Sequence, residues 1–435
     1  MKAVVIGGGL AGSEAALQLA KRGIEVDLYE MRPKKTTGAH KTENLAEFVC
    51  SNSLGSFDVT NASGLLKKEM SILGSFLIKA AFDSAVPAGA ALAIDRELFS
   101  SKVTKMIEEN PKINLIREEI TEIPDAPAII ASGPLTSEVF AEKIKDFCSQ
   151  EHLHFFDAIA PIVEKDSINF DIAFYASRYD KGEASYINCP MNKEQYENFY
   201  RILTTAEKIE LKDFEKDAKF FESCLPVEVL ASRGEDTLRF GPMKPVGLVD
   251  KRTGEQNYAV VQLRQDNLSA SMYNLVGFQT NLKWGAQKEL VHSIPGLENA
   301  NILRYGVMHR NTFINSPKIL NKFLQCKKRE NLFFAGQITG TEGYTESIAT
   351  GMYAGINLAR LLNGEKFLEL PDITMLGALT NYISFEEHKH FQPVNSNWGI
   401  VKTLDADKKT RKNKKLKNEL LAKRSIDYLE TLELI

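Results

Sequence analysis

The chain opens Lys2-Ala-Val-Val-Ile-Gly-Gly-Gly-Leu-Ala-Gly12, and after a run of small and apolar residues it continues Ile24-Glu-Val-Asp-Leu-Tyr-Glu30. Ala3 to Ile6 is an apolar run of strand length, and Gly7, Gly9 and Gly12 follow it directly as G-x-G-x-x-G. The spacing predicts a helix over Ser13–Arg22 with Ala16, Leu19 and Ala20 on one face, a stop at Gly23, and a second strand over Ile24–Tyr29. Each part of such a βαβ unit has a job toward a dinucleotide. Gly7 allows the tight turn, Gly9 lets a pyrophosphate approach the backbone, and Gly12 lets the helix pack closely on the strand. Gly8, Leu10 and Ala11 complete the turn and the helix start, whose free N–H groups and positive dipole end suit phosphate. Glu30, eighteen residues past Gly12, can accept hydrogen bonds from a ribose, and Arg32 just beyond it joins the cofactor-binding set.

The remaining composition is that of a globular protein. Of 435 residues, 43% are hydrophobic and 26% charged, enough for two or three domains with a sizeable core. The formal net charge of −3 makes no global demand for a nucleic-acid partner, so any basic surface must be local. No apolar run reaches membrane length, and the chain starts directly on a core strand, so no signal peptide and a cytoplasmic location are expected. Cys50, Cys148, Cys189, Cys224 and Cys326 are scattered and form no C-x-x-C pair. Reduced thiols are expected rather than a disulfide framework, and no metal site.

Along the chain, Pro33 breaks the second strand and Thr36–Asn44 reads as a polar loop. Leu45–Val49 is an apolar, strand-like run leading into Cys50-Ser-Asn-Ser. Leu65–Ala81 reads as one amphipathic helix, and Asp95 as the cap of another. Ile113–Ile116 and Ala128–Ala131 read as strands. The second ends in Ser132-Gly-Pro, which resembles the A-T-G turn of two-dinucleotide flavoproteins. From about residue 151 the pattern becomes strand-rich, with alternation over Asp157–Asp180, a helix over Glu194–Glu207, a charged stretch Lys212–Glu222, and strands at Val260–Arg264 and Tyr273–Trp284. The nucleotide-fold theme returns at Asn331-Leu-Phe-Phe-Ala-Gly336, with a small-residue helix over Thr345–Ala359. These features divide the chain into a first part of a nucleotide domain (1–150), an inserted α+β domain (151–300), the returning part (301–400) and a basic helical tail (401–435). The expected fold class is α/β, a Rossmann-like FAD-binding domain of the glutathione-reductase type carrying an insertion.

Two features favour FAD over NAD as the resident dinucleotide. The fingerprint is the longer form, with Ala16, Leu19, Gly23, Val26 and Glu30 in place. A distant strand–Gly–helix unit, Gly336 with Gln337, Gly343, Tyr344, Ser347 and Ile348, can meet the flavin end. The usual residue after that glycine is Asp; Gln337 departs from this and adds no charge. No second G-x-G-x-x-G occurs, so NADPH or NADH would dock transiently beside the flavin. Cys50 lies in a polar loop on the side where the flavin ring belongs, although a buried structural cysteine is the plainer reading. Cys224 precedes Leu225-Pro226 in the inserted part. Lys402–Arg424 carries ten Lys or Arg against three Asp or Glu. It reads either as a solvated charged helix or as a phosphate-contacting patch that includes Lys408, Lys409, Arg411 and Lys412.

These motifs carry a resemblance. Gly7-Gly-Gly-Leu-Ala-Gly-Ser-Glu-Ala-Ala16, Tyr29-Glu-Met-Arg-Pro33, Ala46-Glu-Phe-Val-Cys-Ser-Asn-Ser-Leu54, Cys224-Leu-Pro-Val-Glu228, Val276-Gly-Phe-Gln-Thr-Asn-Leu282 and Gly336-Gln-Ile-Thr-Gly-Thr-Glu-Gly-Tyr-Thr-Glu-Ser347 are similar to the family of folate- and FAD-dependent tRNA (uracil-5-)-methyltransferases, TrmFO. The likeness runs from Lys2 to about Ile400. Glu-Met-Arg-Pro and Cys-Ser-Asn-Ser separate it from the larger GidA (MnmG) relatives.

The resemblance implies a flavin reduced by NADPH or NADH. It implies a one-carbon unit taken from 5,10-methylenetetrahydrofolate as a flavin N5 methylene adduct, and methylation of a T-loop uridine at C5. It places the two catalytic cysteines on Cys50 and Cys224 and leaves open which one adds to uracil C6. The loop Tyr305–Thr312 offers His309 and Arg310 as substrate contacts, and the basic tail gains weight as a tRNA contact. Three other readings stand beside this one. They are the same chemistry on a ribosomal-RNA uridine, a flavin-dependent thiol oxidoreductase using Cys50, and a non-catalytic RNA-binding flavoprotein.

Overall fold

The structure is a computed structural model that describes residues 1–149, 153–158, 160–180, 183–209, 225–250, 252–254, 256–306, 308–388 and 391–432. Cys224 and the charged stretch Lys212–Glu222 lie outside the described residues.

The opening stretch folds as β1 (Lys2–Ile6), α1 (Leu10–Lys21) and β2 (Glu25–Tyr29). The helix begins three residues earlier than its apolar spacing suggests, because the turn glycines lead straight into it. From Leu10 to Ala20 every residue of α1 is buried, not one face alone. The reason lies on its far side. The helix Tyr344–Leu362 packs across α1, and a Cβ at Gly351 would meet the Ala11 carbonyl oxygen at 2.2 Å. The small residues of that late helix therefore serve close helix–helix approach, as their pattern suggests.

β1 sits within a six-stranded sheet whose order is Gln325–Cys326, Arg329–Phe334, Ala128–Ile130, β1, β2, Ile113–Ile116. All pairings are parallel except the antiparallel edge of Gln325–Cys326 on Arg329–Phe334. Strands from the first 130 residues and from beyond residue 325 thus form one doubly wound, Rossmann-like layer. Register matters most here. Ile6 is level with Ile130, and Ile130 with Phe334. The three turns that follow, at Gly7, Ala131 and Gly336, therefore emerge side by side at the carboxyl edge of the sheet.

Of the expected elements, the strand over Tyr273–Trp284 ends at Leu275, where the chain turns through Gly277 toward a helix that starts at Trp284, and two others differ. Leu45–Val49 forms no strand; its Leu45, Ala46 and Phe48 are buried as irregular chain, and the strand follows at Ser53–Ser56 instead. The single helix expected over Leu65–Ala81 is two, α2 (Ala62–Leu73) and α3 (Phe76–Phe82). Gly74 in the left-handed region ends the first, and the Ser75 side chain caps the second. The buried Glu14 carboxylate holds that corner, accepting from Ser75 Oγ at 2.9 Å and Leu77 N at 2.8 Å. Asp95 caps α4 (Arg96–Glu108) as expected, accepting from Leu98 N at 2.9 Å.

A second, antiparallel six-stranded sheet is built from residues 162–304, in the order Phe174–Ala176, Tyr186–Met191, Ala259–Gln265, Met272–Leu275, Ile162–Glu164, Ile302–Arg304. The helices Lys193–Thr205 and Trp284–His292 cover it, with Tyr196, Phe199, Leu203 and Val291 in a core of its own. A two-stranded ribbon, Leu153–Ala158 with Met308–Phe313, links this sheet to the first. The tail forms the helices Lys408–Lys412 and Lys414–Glu430. Among the described residues, no helix is long and apolar enough to cross a membrane.

Candidate active site

The carboxyl edge of the first sheet opens into a cleft of about 1030 Å³, mouth included. Its walls come from all three turns: Gly7, Gly9, Leu10 and Ala11; Ala131, Ser132, Gly133 and Pro134; and Gly336, Gln337, Tyr344 and Ser347. Glu30, Arg32, Val49 and His40 complete it. Sequences more than 300 residues apart meet here because parallel strands deliver their ends to one edge.

The glycines divide their roles as their spacing suggests. A Cβ at Gly12 would lie 1.8 Å from the Gly7 carbonyl oxygen, so the turn and the helix start touch backbone to backbone. A Cβ at Gly9 would meet no protein atom within 4 Å. The open space beyond Gly9, at the positive end of α1, fits a pyrophosphate.

Glu30 is buried, and its Oε2 accepts from Gly8 N at 2.9 Å. Its Oε1 accepts from Arg32 N at 3.0 Å and Arg32 Nε at 2.8 Å. Burial pushes this carboxyl up, but the Arg32 guanidinium overrides that and holds it below the usual carboxylate range. Glu30 is thus a fixed carboxylate on the cleft wall, suited to ribose hydroxyls. Arg32 also lines the cleft; its Nε donates to Glu30 and its Nη1 to Glu47 at 3.2 Å and to the Thr42 carbonyl at 3.1 Å. It orients the acid.

At the other end, Gln337 Nε2 donates to both carboxylate oxygens of Glu342, at 2.9 and 2.8 Å. The Gly336 N–H donates to Thr350 Oγ1 at 2.9 Å. Gly8, Gly12, Gly343 and Ile348 are not among the residues lining the cleft; Ile348 is wholly buried in the core.

Cys50 follows the cleft residue Val49 and is partly exposed. Its N–H donates to the Tyr344 phenol oxygen at 2.6 Å, and the Tyr344 ring lies 4.2 Å from that of Phe48. The structure thus brings the Cys50 loop to Tyr344, on the Gly336–Ser347 wall of the cleft. By contrast Cys148, Cys189 and Cys326 are buried, and burial pushes all three thiols up, away from ionisation. Buried thiols of this kind fill the core as small apolar groups. His309 and Arg310 lie on the ribbon strand Met308–Phe313, which touches the cleft wall where Thr312 N donates to the Pro134 carbonyl at 3.1 Å. Among the described residues, no group of three or more His, Cys, Asp or Glu is gathered as a metal site would need.

The tail helix Lys414–Glu430 turns Leu421, Ala422 and Leu429 onto α2; its Lys414 and Lys415 are exposed, as are Lys409 and Lys412 of the preceding helix. Sequence reading missed what holds it. The buried Glu69 of α2 accepts from Met375 N at 2.6 Å, Leu376 N at 2.8 Å and Ser425 Oγ at 2.5 Å. It also missed the arginines behind Cys50. Arg96 directly follows a cap residue and reads as part of that helix start, and no local pattern marks Arg304.

Comparison with known proteins places this arrangement. The chain matches the glucose inhibited division protein A family over residues 2–366. It is 55% identical over 428 residues to the methylenetetrahydrofolate--tRNA-(uracil-5-)-methyltransferase TrmFO of Bacillus velezensis, covering 98% of both chains. The TrmFO of Halalkalibacterium halodurans is 56% identical over 427 residues, covering 98% of this chain and 97% of its own. This chain belongs to the TrmFO family. Among solved structures, GidA of Aquifex aeolicus superposes with a TM-score of 0.71 at 17% identity, covering all of this chain and 74% of that one. TrmFO and GidA thus share the Rossmann-like FAD-binding architecture, and this TrmFO family member has the shorter chain, as the length contrast in the sequence suggests.

Proposed function

We propose that the chain is a methylenetetrahydrofolate- and FAD-dependent tRNA (uracil-5-)-methyltransferase that forms 5-methyluridine at a T-loop uridine, with NADPH or NADH as reductant. The observation that carries this reading is the full-length identity to relatives named for that reaction. The join of the Cys50 loop to a dinucleotide cleft through Tyr344 supports it. In this reading residues 151–300 are the inserted domain on the RNA and folate side.

FAD, when bound, supplies the redox chemistry that turns a folate one-carbon unit into a methyl group. Gly7 to Gly12 with α1 hold its pyrophosphate, and Glu30 its ribose. Gly336, Gln337, Tyr344 and Ser347 line the side where the ring belongs. The protein's own task is to make uracil C5 a nucleophile. A thiolate from Cys50 or Cys224 adds to C6, and the C5–C6 π pair moves into an enolate with carbanion character at C5. C5 then bonds the one-carbon unit. A base removes the C5 proton, and that electron pair expels the amine that carried the one-carbon unit; a hydride equivalent, which the NADPH- or NADH-reduced cofactor would supply, then converts the exocyclic methylene to methyl as the thiolate leaves C6. The uridine must leave its stack to reach such a site. The exposed lysines of the two tail helices, with Lys408 and Arg411 of the first, contact RNA phosphates in this reading, and His309 and Arg310 contact folate or base.

A visible flavin spectrum of the purified protein tests the cofactor. Incubation with methylenetetrahydrofolate, NADPH or NADH, and tRNA or ribosomal RNA tests the reaction. The expected product is 5-methyluridine in tRNA. Product in ribosomal RNA alone would overturn the target. Disulfide turnover with no methylation would favour a thiol oxidoreductase.

A further inference from the structure

The loop that carries Cys50 is suspended from guanidinium groups. Phe48, Val49 and Cys50 present their carbonyls in succession. Arg96 of α4 donates to Phe48 O and to Cys50 O, each at 3.0 Å. Arg304, at the end of a second-sheet strand, donates to Val49 O at 2.7 Å. One step further along, Arg264 donates to Asn52 Oδ1 at 3.1 Å, while Asn52 Nδ2 reaches Ile94 O and Gln265 O, both at 2.9 Å. The carboxylate in this group is Asp266, which accepts from Arg96 at 3.0 Å and from Asn274 Nδ2 at 3.0 Å. Three cations against one carboxylate leave two positive charges in excess beneath the loop.

Clustering cations in a partly buried place is costly. Burial pushes Arg304 down and Arg96 adds repulsion, while Cys50 is among the groups that pull Arg304 back up. On Arg96, burial is opposed by Asp266 first, with Tyr344 and Cys50 also raising it. A negative charge on the Cys50 sulfur is therefore favourable to both arginines, and the attraction is mutual.

We propose that Arg304 is a positioning residue for Cys50: it fixes the thiol loop from the second-sheet side and, together with Arg96, keeps the sulfur ionised near neutral pH, its proton going to solvent. The inference builds on the role proposed for Cys50. A thiol's ionisation is measurable whether or not that thiol takes part in methyl transfer, so the two can fail separately.

The test is the pH dependence of Cys50 alkylation by iodoacetamide in the full-length flavin-loaded protein, read by peptide mass spectrometry. Asp266 and Tyr344 also face the thiol loop, so the charge variants are chosen in opposite senses. Arg304→Met should move the alkylation midpoint up by about one pH unit, slowing the reaction about two- to fivefold at pH 7. Arg304→Lys, which keeps the charge, should recover much of that shift. Asp266→Asn should move the midpoint down. An unchanged midpoint in Arg304→Met overturns the proposal, as do shifts of the same sign in Arg304→Met and Asp266→Asn, which a merely loosened loop would produce. If Arg304→Met binds no flavin, Asp266→Asn decides alone, and an unchanged or raised midpoint there overturns it.

Discussion

The Tyr344 phenol oxygen accepts the backbone N–H of Cys50 at 2.6 Å, across 294 residues of chain. One bond thus ties the thiol loop to the N-terminus of the helix that packs on α1. The Tyr344→Phe variant keeps the ring packing on Phe48 and leaves that N–H without its acceptor. A loss of about 1 kcal/mol in stability is expected, with a fall in methyl transfer several times larger than any fall in flavin content. Chemical denaturation and flavin absorbance check both. Wild-type activity would mean the loop is held well enough without the phenol.

The two catalytic candidates should behave alike at first sight. Cys50→Ala and Cys224→Ala should fold and bind FAD, yet lose methyl transfer by about a hundredfold or more, as expected on removing a nucleophile. The measurement is 5-methyluridine per tRNA at matched flavin content. RNA carrying 5-fluorouridine traps a C6 adduct and shows which sulfur adds. A variant with full transfer would lose its catalytic assignment.

Gly9 and Gly12 should part company. The site of a Gly9 side chain is free of protein atoms within 4 Å, whereas a Gly12 side chain would press into the Gly7 carbonyl. Gly9→Val should therefore yield a folded, colourless protein, with apo stability changed by no more than about 1 kcal/mol. Gly12→Ala should lower apo stability by about 1–3 kcal/mol, the usual range for overpacking. Yellow, stoichiometric Gly9→Val protein would refute the placement of the pyrophosphate.

Burial pushes the Glu69 carboxyl up to about 7, although Ser425 and the N–H groups of Met375 and Leu376 oppose this. The folded state then holds this proton more tightly than the unfolded chain. Its contribution is fully present below about pH 4.5 and is lost as pH rises through about 7. Melting temperature should fall between pH 5 and 7.5, and Glu69→Gln, which cannot titrate, should flatten that slope. Buried Glu14 is also raised, so some slope should remain in Glu69→Gln. A slope identical to wild type would clear Glu69.

The tail cannot be removed cleanly to test RNA contact, because Leu421, Ala422 and Leu429 belong to the core. Charge reversal of the exposed residues is the better probe. Lys409→Glu with Lys412→Glu should raise KM for tRNA about tenfold and reduce its salt dependence, leaving NADPH or NADH oxidation intact. A loss of flavin reduction in that variant would show that the tail acts on the cofactor instead.

Much of this was legible in the residues. The run Lys2–Glu30 determined a dinucleotide unit because strand, glycine spacing, helix and acid are all local, and local patterns survive in one dimension. The Ser132-Gly-Pro and Ala335-Gly336 turns were legible for the same reason. Motif identity around Cys50 and Glu-Met-Arg-Pro named the family. Local reading failed where burial overrode propensity: Leu45, Ala46 and Phe48 are apolar because they are buried, not because they pair as a strand, and α2 and α3 separate at one left-handed glycine.

Tertiary structure alone decided what lies beside what. The level ends of Ile6, Ile130 and Phe334 align three distant turns into one cleft. Arg96, Arg264 and Arg304 converge on the Cys50 loop from one helix and two strands of the second sheet, and Glu69 joins three helices. Such contacts join residues tens to hundreds of positions apart. Their cause is long-range packing and charge, which leaves no period or spacing in the chain.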